Sequence, residues 1–296
     1  MRALKGLIAL LALGLVACAD IKVPDSGRYI VVTRFGNAIS VEKIGVLILT
    51  DDLRVYQDDT DLGGLFRDGT VAALSKDSPW VYVPSGVHMD DPQLDGDFDH
   101  YRSAIIDNGW RKIDVRMQKL KQAAAASQAD IVICINESVW SFPTPPIGNP
   151  FARDEMVGRG VYTHKTAGFP DRTSLFVAYN ITVYDAHNWK SRSYWGVYAT
   201  PFPKIEWPKP SYTTLPLPPD VVPNVKQALG KIEPPPDLPF VLCYLGLTNI
   251  THDPVAHARA YACAQHYGVP NTSFSDVPIY WLTHPQDMEH WNLHQP

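Results

Sequence analysis

Short apolar runs alternate with helix-length segments between residues 44 and 136, and this alternation limits the fold more than any other feature of the chain. Residues 44–49 (IGVLIL) form a continuous apolar run between polar neighbours, which is typical of a strand covered on both faces. Three more stretches are strand-like: residues 80–83, residues 110–113 and the run DIVICI after Ala129. Strands separated by helices need crossover connections. The pattern predicts an α/β fold, with mixed α+β as the alternative, built on a largely parallel sheet with helices on its faces.

Three helices are predicted between these strands. The first covers residues 64–75. The second begins at a cap, either Asp97 or Asp99, and ends at Gly109. The third follows Asp114 in the stretch VRMQKLKQAAAASQ, whose alanines favour helix.

The sequence changes character in its second half. Residues 175–200 are rich in aromatic and β-branched side chains around the turn-like DAHNWKSR, which predicts an added antiparallel hairpin. Residues 201–239 are dense in proline and include PLPPD and EPPPDLP, so they are predicted to wrap the surface or link parts as extended chain. Residues 240–296 contain a strand, a helix that starts at Asp253-Pro254, and a last strand.

The N-terminal leader has the features of a secretory signal. Arg2 and Lys5 give it positive charge, and the apolar core that follows is too short to cross roughly 30 Å of hydrocarbon as a helix. Its end, Leu15-Val16-Ala17-Cys18, resembles the lipobox of bacterial lipoproteins. The resemblance implies that Cys18 becomes the first residue of the mature chain and carries acyl groups such as palmitate. Ala19 in place of aspartate resembles the pattern that is sent to the outer membrane, facing the periplasm.

These segments predict a domain organisation for the whole chain. The predicted parts are a lipoprotein signal peptide (1–17), an anchor and N-terminal tether (18–43), an α/β domain with the hairpin (44–200), a proline-rich linker or wrapping segment (201–239), and a C-terminal strand-helix-strand unit packed on the main domain (240–296). A hydrophobic content of 45% is enough for a substantial core.

Composition also limits the partners. The formal net charge is −5 and no basic stripe interrupts it, so nucleic acid is excluded as an expected partner. The expected partners are the membrane, through the N-terminal lipid, and other envelope proteins. In an oxidising envelope the cysteines beyond the leader allow one disulfide, for which Cys243 and Cys263 are the expected pair. Cys134 lies in the apolar run IVICI and is predicted to be a buried, inert thiol.

The α/β half resembles the N-terminal domain of the periplasmic Tol translocation protein and the curli-assembly lipoprotein. The likeness rests on EKIGVLI, on helices before GWRKID and ADIVICI, and on the late VYDAHNWKSRSYWG. It covers about half of the chain and implies a fold rather than an activity.

Two carboxylates are candidate metal ligands. Asp51 and Asp52 follow the apolar run in IGVLILTDDLRV, and ligands of open α/β sheets bind beyond the carboxyl ends of strands. The phrase is similar to the metal-binding opening of sulfatases, but their Cys/Ser-x-Pro-x-Arg motif is absent from the sequence. Polysaccharide deacetylases open in a similar way and add a histidine pair. A solvated turn after a strand is the competing interpretation of Asp51 and Asp52.

Three further residues are candidate catalytic groups. Glu137 ends the predicted strand ICINE, as the acid/base glutamate of barrel-type glycosidases does, although such enzymes need a second carboxylate within roughly 5 to 10 Å. His252 and His257 stand five residues apart, which turns them away from each other on a helix.

These signals favour binding over catalysis. The leading prediction is a lipid-anchored envelope protein with a binding or scaffolding role and no assigned cofactor. The alternatives are a metal-dependent hydrolase of envelope glycans or esters, which would need a divalent metal at Asp51 and Asp52, and a receptor for a small ligand. The sequence therefore leaves open whether the protein is an enzyme.

Overall fold

A computed structural model describes residues 26–44, 51–75, 80–87, 89, 97–110, 113–141, 155–164, 172–208 and 216–232. The predicted leader with Cys18, the C-terminal unit and residues 45–50 lie outside the described residues, as do Cys243, Cys263, His252 and His257. The described strands are β1 (Gly27–Arg34), β2 (Ala38–Ile44), β3 (Asp52–Gln57), β4 (Trp80–Tyr82), β5 (Ile131–Glu137), β6 (Val139–Ser141), β7 (Glu155–Val157), β8 (Arg159–His164), β9 (Arg172–Asp185) and β10 (Ser191–Pro201). The described helices are α1 (Leu62–Ser75), α2 (Phe98–Trp110), α3 (Ile113–Ser127) and α4 (Val221–Leu229).

One mixed sheet organises the fold. Eight of the described strands pair in the order β3-β2-β8-β9-β5-β1-β4, with β10 added to β9, while β6 and β7 form a small separate ladder. The prediction of an α/β fold is confirmed. The sheet is mixed rather than largely parallel: β1–β4, β1–β5 and β2–β8 are parallel, and the other pairs are antiparallel. The predicted hairpin is the reason, because β9 enters the centre of the sheet and runs antiparallel to β5, β8 and β10.

The long strand β9 joins two half-sheets. Its residues 172–177 pair with β8, its residues 179–185 pair with β5, and β10 pairs along residues 174–184. A strand has two edges, so β8 and β5 must lie end to end on the edge that β10 does not occupy. The chain therefore forms one half-sheet of β8, β2 and β3 and another of β5, β1 and β4. Ala178 marks the point on β9 where they separate.

Residues 27–44 belong to the sheet and not to the tether that the sequence predicts for 18–43. β1 lies between β5 and β4, and β2 lies between β8 and β3. The three residues 35–37 therefore carry the chain from one half-sheet to the other instead of closing a hairpin. Strand β2 buries polar side chains as well as apolar ones, and this explains why no apolar run revealed it.

The predicted helices are largely confirmed, although the strand expected at residues 110–113 is wrong at both of its described ends, Trp110 and Ile113, which belong to helices. Asp97 caps α2, since the backbone N–H of His100 donates to its Oδ1 at 3.1 Å. Helix α2 continues through Gly109 to Trp110, and α3 begins at Ile113. One glycine inside a helix costs only about 1 kcal/mol, so packing can override the stop signal.

The core occupies both faces of the sheet. Helices α1 and α4 cover one face, where a large apolar cluster includes Tyr29, Phe66 and Tyr179. Helix α4 lies inside the segment predicted to be extended, and this is a correction: Val221, Val225 and Leu229 are buried. Pro223 is tolerated there because it lies in the first turn, where backbone N–H groups have no partner within the helix.

Helix α3 covers part of the opposite face through Leu120, Ala123 and Ala124. Beneath it lie Ile30, Val32, Val132 and Cys134. Among the described residues, no helix is long and apolar enough to cross a membrane.

Candidate functional site

Four buried polar side chains meet where the half-sheets separate, and we call them the charged cluster: Asp58, Tyr101, Glu137 and Arg159. Each exposes 2% of its surface or less. The fold brings them together because Glu137 ends β5, Arg159 begins β8 and Asp58 follows β3. Tyr101 comes from α2, which packs over this junction.

Arg159 lies between two carboxylates. Its Nη2 donates to Oδ2 of Asp58 at 3.0 Å, and its Nη1 lies 3.9 Å from Oε1 of Glu137. The other oxygen of Glu137 accepts the backbone N–H of Gly36 at 2.7 Å, and the hydroxyl of Tyr101 donates to the carbonyl of Ala38 at 3.2 Å. The cluster therefore connects the crossing residues 35–37 and the start of β2 to the strands on both sides.

Burial shifts the pKa of two members of this cluster, Glu137 and Tyr101. It raises the pKa of Glu137 above the usual carboxyl value, and the positive charge of Arg159 opposes that rise. Burial also raises the pKa of Tyr101 well above its usual value, and the neighbouring Glu137 adds to this effect. Tyr101 is thus held in its neutral form.

Two glycines make the junction compact. Gly158 has a φ of +67°, and a Cβ there would lie 2.9 Å from the hydroxyl oxygen of Tyr101 and 3.1 Å from Oε1 of Glu137. Gly160 has a φ of +149°, and a Cβ there would overlap the backbone carbonyl of Ser40 on β2. Glycine is needed at both positions, for backbone conformation and for space.

Gly158→Ala should lower the free energy of unfolding by about 1 to 3 kcal/mol, because it combines a left-handed backbone with contacts inside the charged cluster. Gly86→Ala is the matched control: Gly86 has a φ of +61° and nothing lies within 4 Å of its would-be Cβ. It should cost about 1 kcal/mol, from backbone conformation alone. Urea denaturation of the two variants checks this. Equal losses would contradict the steric role assigned to Gly158.

A second buried carboxylate lies beside the junction. Oε1 of Glu42 accepts the backbone N–H of Val157 at 2.9 Å and lies 2.8 Å from Oγ of Ser40. Ser40 also lies 2.9 Å from the carbonyl oxygen of Val157. Burial raises the pKa of Glu42 to about 8, so this carboxyl is mostly protonated near neutral pH. Oε1 of Glu42 is the acceptor in both contacts, because the hydroxyl of Ser40 and the backbone N–H of Val157 both donate to it.

Glu137, the candidate acid/base residue, therefore lies inside the charged cluster. Its immediate ionic neighbour is Arg159, and its exposure is 2%. Its catalytic role stays a prediction. The histidines proposed to assist it, His252 and His257, lie outside the described residues.

The candidate metal ligands occupy a different part of the fold. Asp52 is the first residue of β3, which is the outermost strand of one half-sheet, and Asp51 directly precedes it. Both carboxylate oxygens of Asp52 accept hydrogen bonds from Arg54 at 2.7 Å. The part of the chain that the structure describes contains no group of three or more histidine, cysteine, aspartate or glutamate side chains arranged to hold a metal. A metal at Asp51 and Asp52 stays a prediction.

An open cavity of about 540 Å³ lies on the sheet face beside α3, and we call it the polar cavity. Helices α2 and α3 form one wall, and the hairpin β9–β10 forms the other. Its lining includes Arg34, Arg102, Arg116, Asn136, Glu137, Glu155, Asn180, Thr182, Ser193 and Trp195.

The polar cavity lies at the border of the cover that α3 gives to the sheet, and its lining includes Cys134. Cys134 lies under α3, and it is a buried free thiol whose pKa burial raises to about 12, as expected for an inert cysteine. Two residues further along β5, on the same face, stands Asn136, which pairs in register with Asn180 of β9. Apolar side chains thus give way to amides and hydroxyls on one continuous face.

Hydrogen bonds fix the polar side chains of the cavity. Oγ1 of Thr182 donates to Oδ1 of Asn180 at 2.9 Å and lies 2.8 Å from Oγ of Ser193. Asn180 in turn donates to the backbone carbonyl of Tyr194 at 3.0 Å. On the wall, Arg102 binds both oxygens of Glu155, at 2.6 and 2.8 Å. The cavity is therefore a pre-arranged surface of hydrogen-bonding groups.

Sequence reasoning missed most of these residues. The stretch VGRGVY, with an arginine between two glycines, was a usable signal for Arg159, because paired glycines indicate close backbone approach. Asn180 and Thr182 alternate with apolar neighbours in AYNITVY, which indicates a strand with one polar face. Asp58 gave no signal, because its partner is 101 residues away.

Comparisons with known proteins give a limited result. A scan against protein-family models matches none, and a search of curated proteins finds no match. Among solved structures, the chain is similar to lipoprotein GNA1162 from Neisseria meningitidis, with 12% identity over 58% of this chain and 83% of that chain. The TM-score is 0.26, and at this value the likeness carries no argument about fold or function.

Proposed function

We propose that this protein is a lipid-anchored protein of the bacterial cell envelope that acts by binding a ligand in the polar cavity. The supporting observation is that four polar side chains, Asn136, Asn180, Thr182 and Ser193, line an open cavity on the sheet face beside α3. A sheet face that served only for packing would be apolar there. The cavity volume of about 540 Å³ lies in the range of small-ligand sites, roughly 300 to 1,000 Å³.

The lipid anchor is supported by the leader and its cysteine. The acylated Cys18 would hold the domain at a membrane surface, because each buried methylene contributes about 0.8 kcal/mol and several acyl chains together give stable anchoring. Ala19 supports the outer membrane, with the domain facing the periplasm. A binding protein placed there reaches both soluble ligands and components of the envelope.

Intact mass tests the anchor. We expect the chain purified from membranes of a bacterial host to begin at Cys18 and to carry the added mass of acyl groups. Cys18→Ser should remove those groups and release the chain from the membrane fraction. An unmodified full-length chain, or a chain cleaved elsewhere, would contradict the anchor. Binding itself is tested separately, with a photoreactive side chain at Ser191 on the cavity rim.

A further inference from the structure

Strand β10 is an edge strand of the sheet. It pairs with β9 in a continuous register from Ser191 to Pro201. Among the described residues, no strand pairs with the other side of β10. The N–H and C=O groups along such an edge are a template for a further strand. The outer side of β10 is therefore a surface on which another chain can pair.

The hydrogen-bond pattern shows which residues of β10 face outward. In an antiparallel pair, every second residue exchanges hydrogen bonds with the neighbouring strand, and the residues between them direct these groups away. Just beyond one end of the ladder, the backbone N–H of Phe202 donates to the carbonyl oxygen of Thr173 at 3.0 Å. Even-numbered residues of β10 are thus directed to β9, because they continue the same alternation. The outward groups belong to the odd-numbered residues, which include Ser193, Trp195, Val197 and Ala199.

The other two edges of the sheet have features that hinder pairing, whereas the middle of β10 does not. Strand β4 is only three residues long, and β3 carries the charged pair of Asp52 and Arg54. In β10, residues 193–200 include no charged residue and no proline, and their register with β9 is continuous. Trp195 is 54% exposed in the middle of this stretch, which is high for a large apolar side chain. The middle of β10 is therefore an unprotected edge.

This edge is complementary to a second copy of itself. Two β10 strands that pair antiparallel about a two-fold axis at Gly196 bring Trp195 of each copy opposite Val197 of the other. The same pairing brings Ser193 of each copy opposite Ala199 of the other. All four residues face outward, so their N–H and C=O groups bond in pairs across the axis. No like charges meet within residues 193–200, and an aromatic residue faces a β-branched one, a cross-strand pair that stabilises sheets.

We propose that this protein forms a two-fold homodimer in which the β10 strands of two copies pair antiparallel and join their sheets into one. Such a pairing occupies both edges at once and leaves none for a third copy. It goes beyond the proposed binding function and needs no ligand in the polar cavity. A second copy captured from Ser191 would add the mass of a whole chain, which distinguishes it from a small ligand of the cavity.

Sedimentation equilibrium of the full chain in density-matched non-ionic detergent tests the dimer. We expect a dimeric mass within roughly 1 to 100 µM, a range that covers micromolar dissociation constants. Trp195→Lys places a charge on the edge, and Ala199→Pro removes an outward N–H without removing a bond to β9. Each should weaken the dimer at least about tenfold, and thermal melting confirms that each variant is folded. Val115→Lys is the matched control, because Val115 is 57% exposed on α3, and the dimer should not change.

Two results of this experiment overturn the proposal. The first is a monomeric mass of the parent chain throughout the concentration range. The second is a dimer that persists in both Trp195→Lys and Ala199→Pro, since copies that share a micelle or use another surface would behave in this way.

Disulfide trapping tests the register. In the proposed pairing, the Cα atoms of Ser193 in one copy and Ala199 in the other lie about 5.5 Å apart, which a disulfide can span. The two copies of either position lie about 20 Å apart. Co-expressed Ser193→Cys and Ala199→Cys chains should therefore cross-link, whereas either variant alone should show only the background of the parent chain. No cross-link between the co-expressed chains, or equal cross-linking of one variant alone, overturns the two-fold pairing.

Discussion

Arg159→Met is expected to lower the free energy of unfolding by about 3 to 5 kcal/mol, which is the usual cost of removing one partner from a buried ion pair. Arg159 is 1% exposed and stands between Asp58 and Glu137, which are equally buried. Methionine fills much of the space but supplies no charge. Urea denaturation followed by circular dichroism measures the loss.

Two further variants show whether the loss comes from uncompensated charge. Arg54→Met removes the partner of Asp52, but this pair is partly solvated because Arg54 is 17% exposed. The free energy of unfolding should therefore fall by about 1 kcal/mol or less. The triple variant Arg159→Met, Asp58→Asn, Glu137→Gln should recover part of the stability lost in Arg159→Met, because it removes the stranded negative charges. A loss in Arg159→Met no larger than in Arg54→Met would contradict the role of the charged cluster.

Stability should fall as the pH rises from about 4.5 to about 8, with Glu42 as the cause. Burial raises the pKa of this carboxyl from 4.5 in the unfolded chain to about 8 in the folded protein, so the folded state binds more protons in that range. The stabilisation that protonated Glu42 gives the folded state is complete below pH 4.5 and is lost as the pH rises through about 8. Its size is on the order of 5 kcal/mol.

Glu42→Gln isolates this effect, because glutamine keeps the acceptor for the N–H of Val157 and cannot ionise. Urea midpoints are measured from pH 4 to pH 9 for the parent and the variant. We expect the parent to lose stability relative to Glu42→Gln as the pH rises. Glu155→Gln is the control, since Glu155 is 21% exposed and paired with Arg102, and it should leave the fall in place. Parallel curves for the parent and Glu42→Gln would contradict a protonated Glu42.

Local patterns predicted the parts of the fold whose structure depends on near neighbours. Helices α1 and α2, strand β5 and the hairpin β9–β10 follow from periodicity, caps and turn residues within each segment. The strands β1 and β2 were not predicted, and β2 has no apolar run because it buries polar as well as apolar side chains. Three residues, 35–37, separate the two strands, as in a hairpin. Here those residues instead cross to another half-sheet, and partners more than 90 residues away in sequence decide this.

In the candidate site, too, local sequence predicted some features, whereas others depend on residues far apart in the chain. Cys134 could be predicted as a buried thiol from its own apolar run. The charged cluster could not, because Asp58, Glu137 and Arg159 are ordinary residues of separate segments until the split in the sheet places them together. The polar cavity also needs the fold, since α3 decides which part of the sheet face stays uncovered.

Photo-cross-linking from within the polar cavity tests the binding function most directly. A photoreactive amino acid replaces Ser191, which lines the cavity and is exposed, in the full chain in bacterial cells. The same photoreactive amino acid replaces the exposed Val81 as the control. We expect an adduct of defined mass at position 191 that decreases when Thr182→Val is added, and no adduct at position 81. No adduct at 191, or the same adducts at both positions, would contradict a ligand site in the polar cavity.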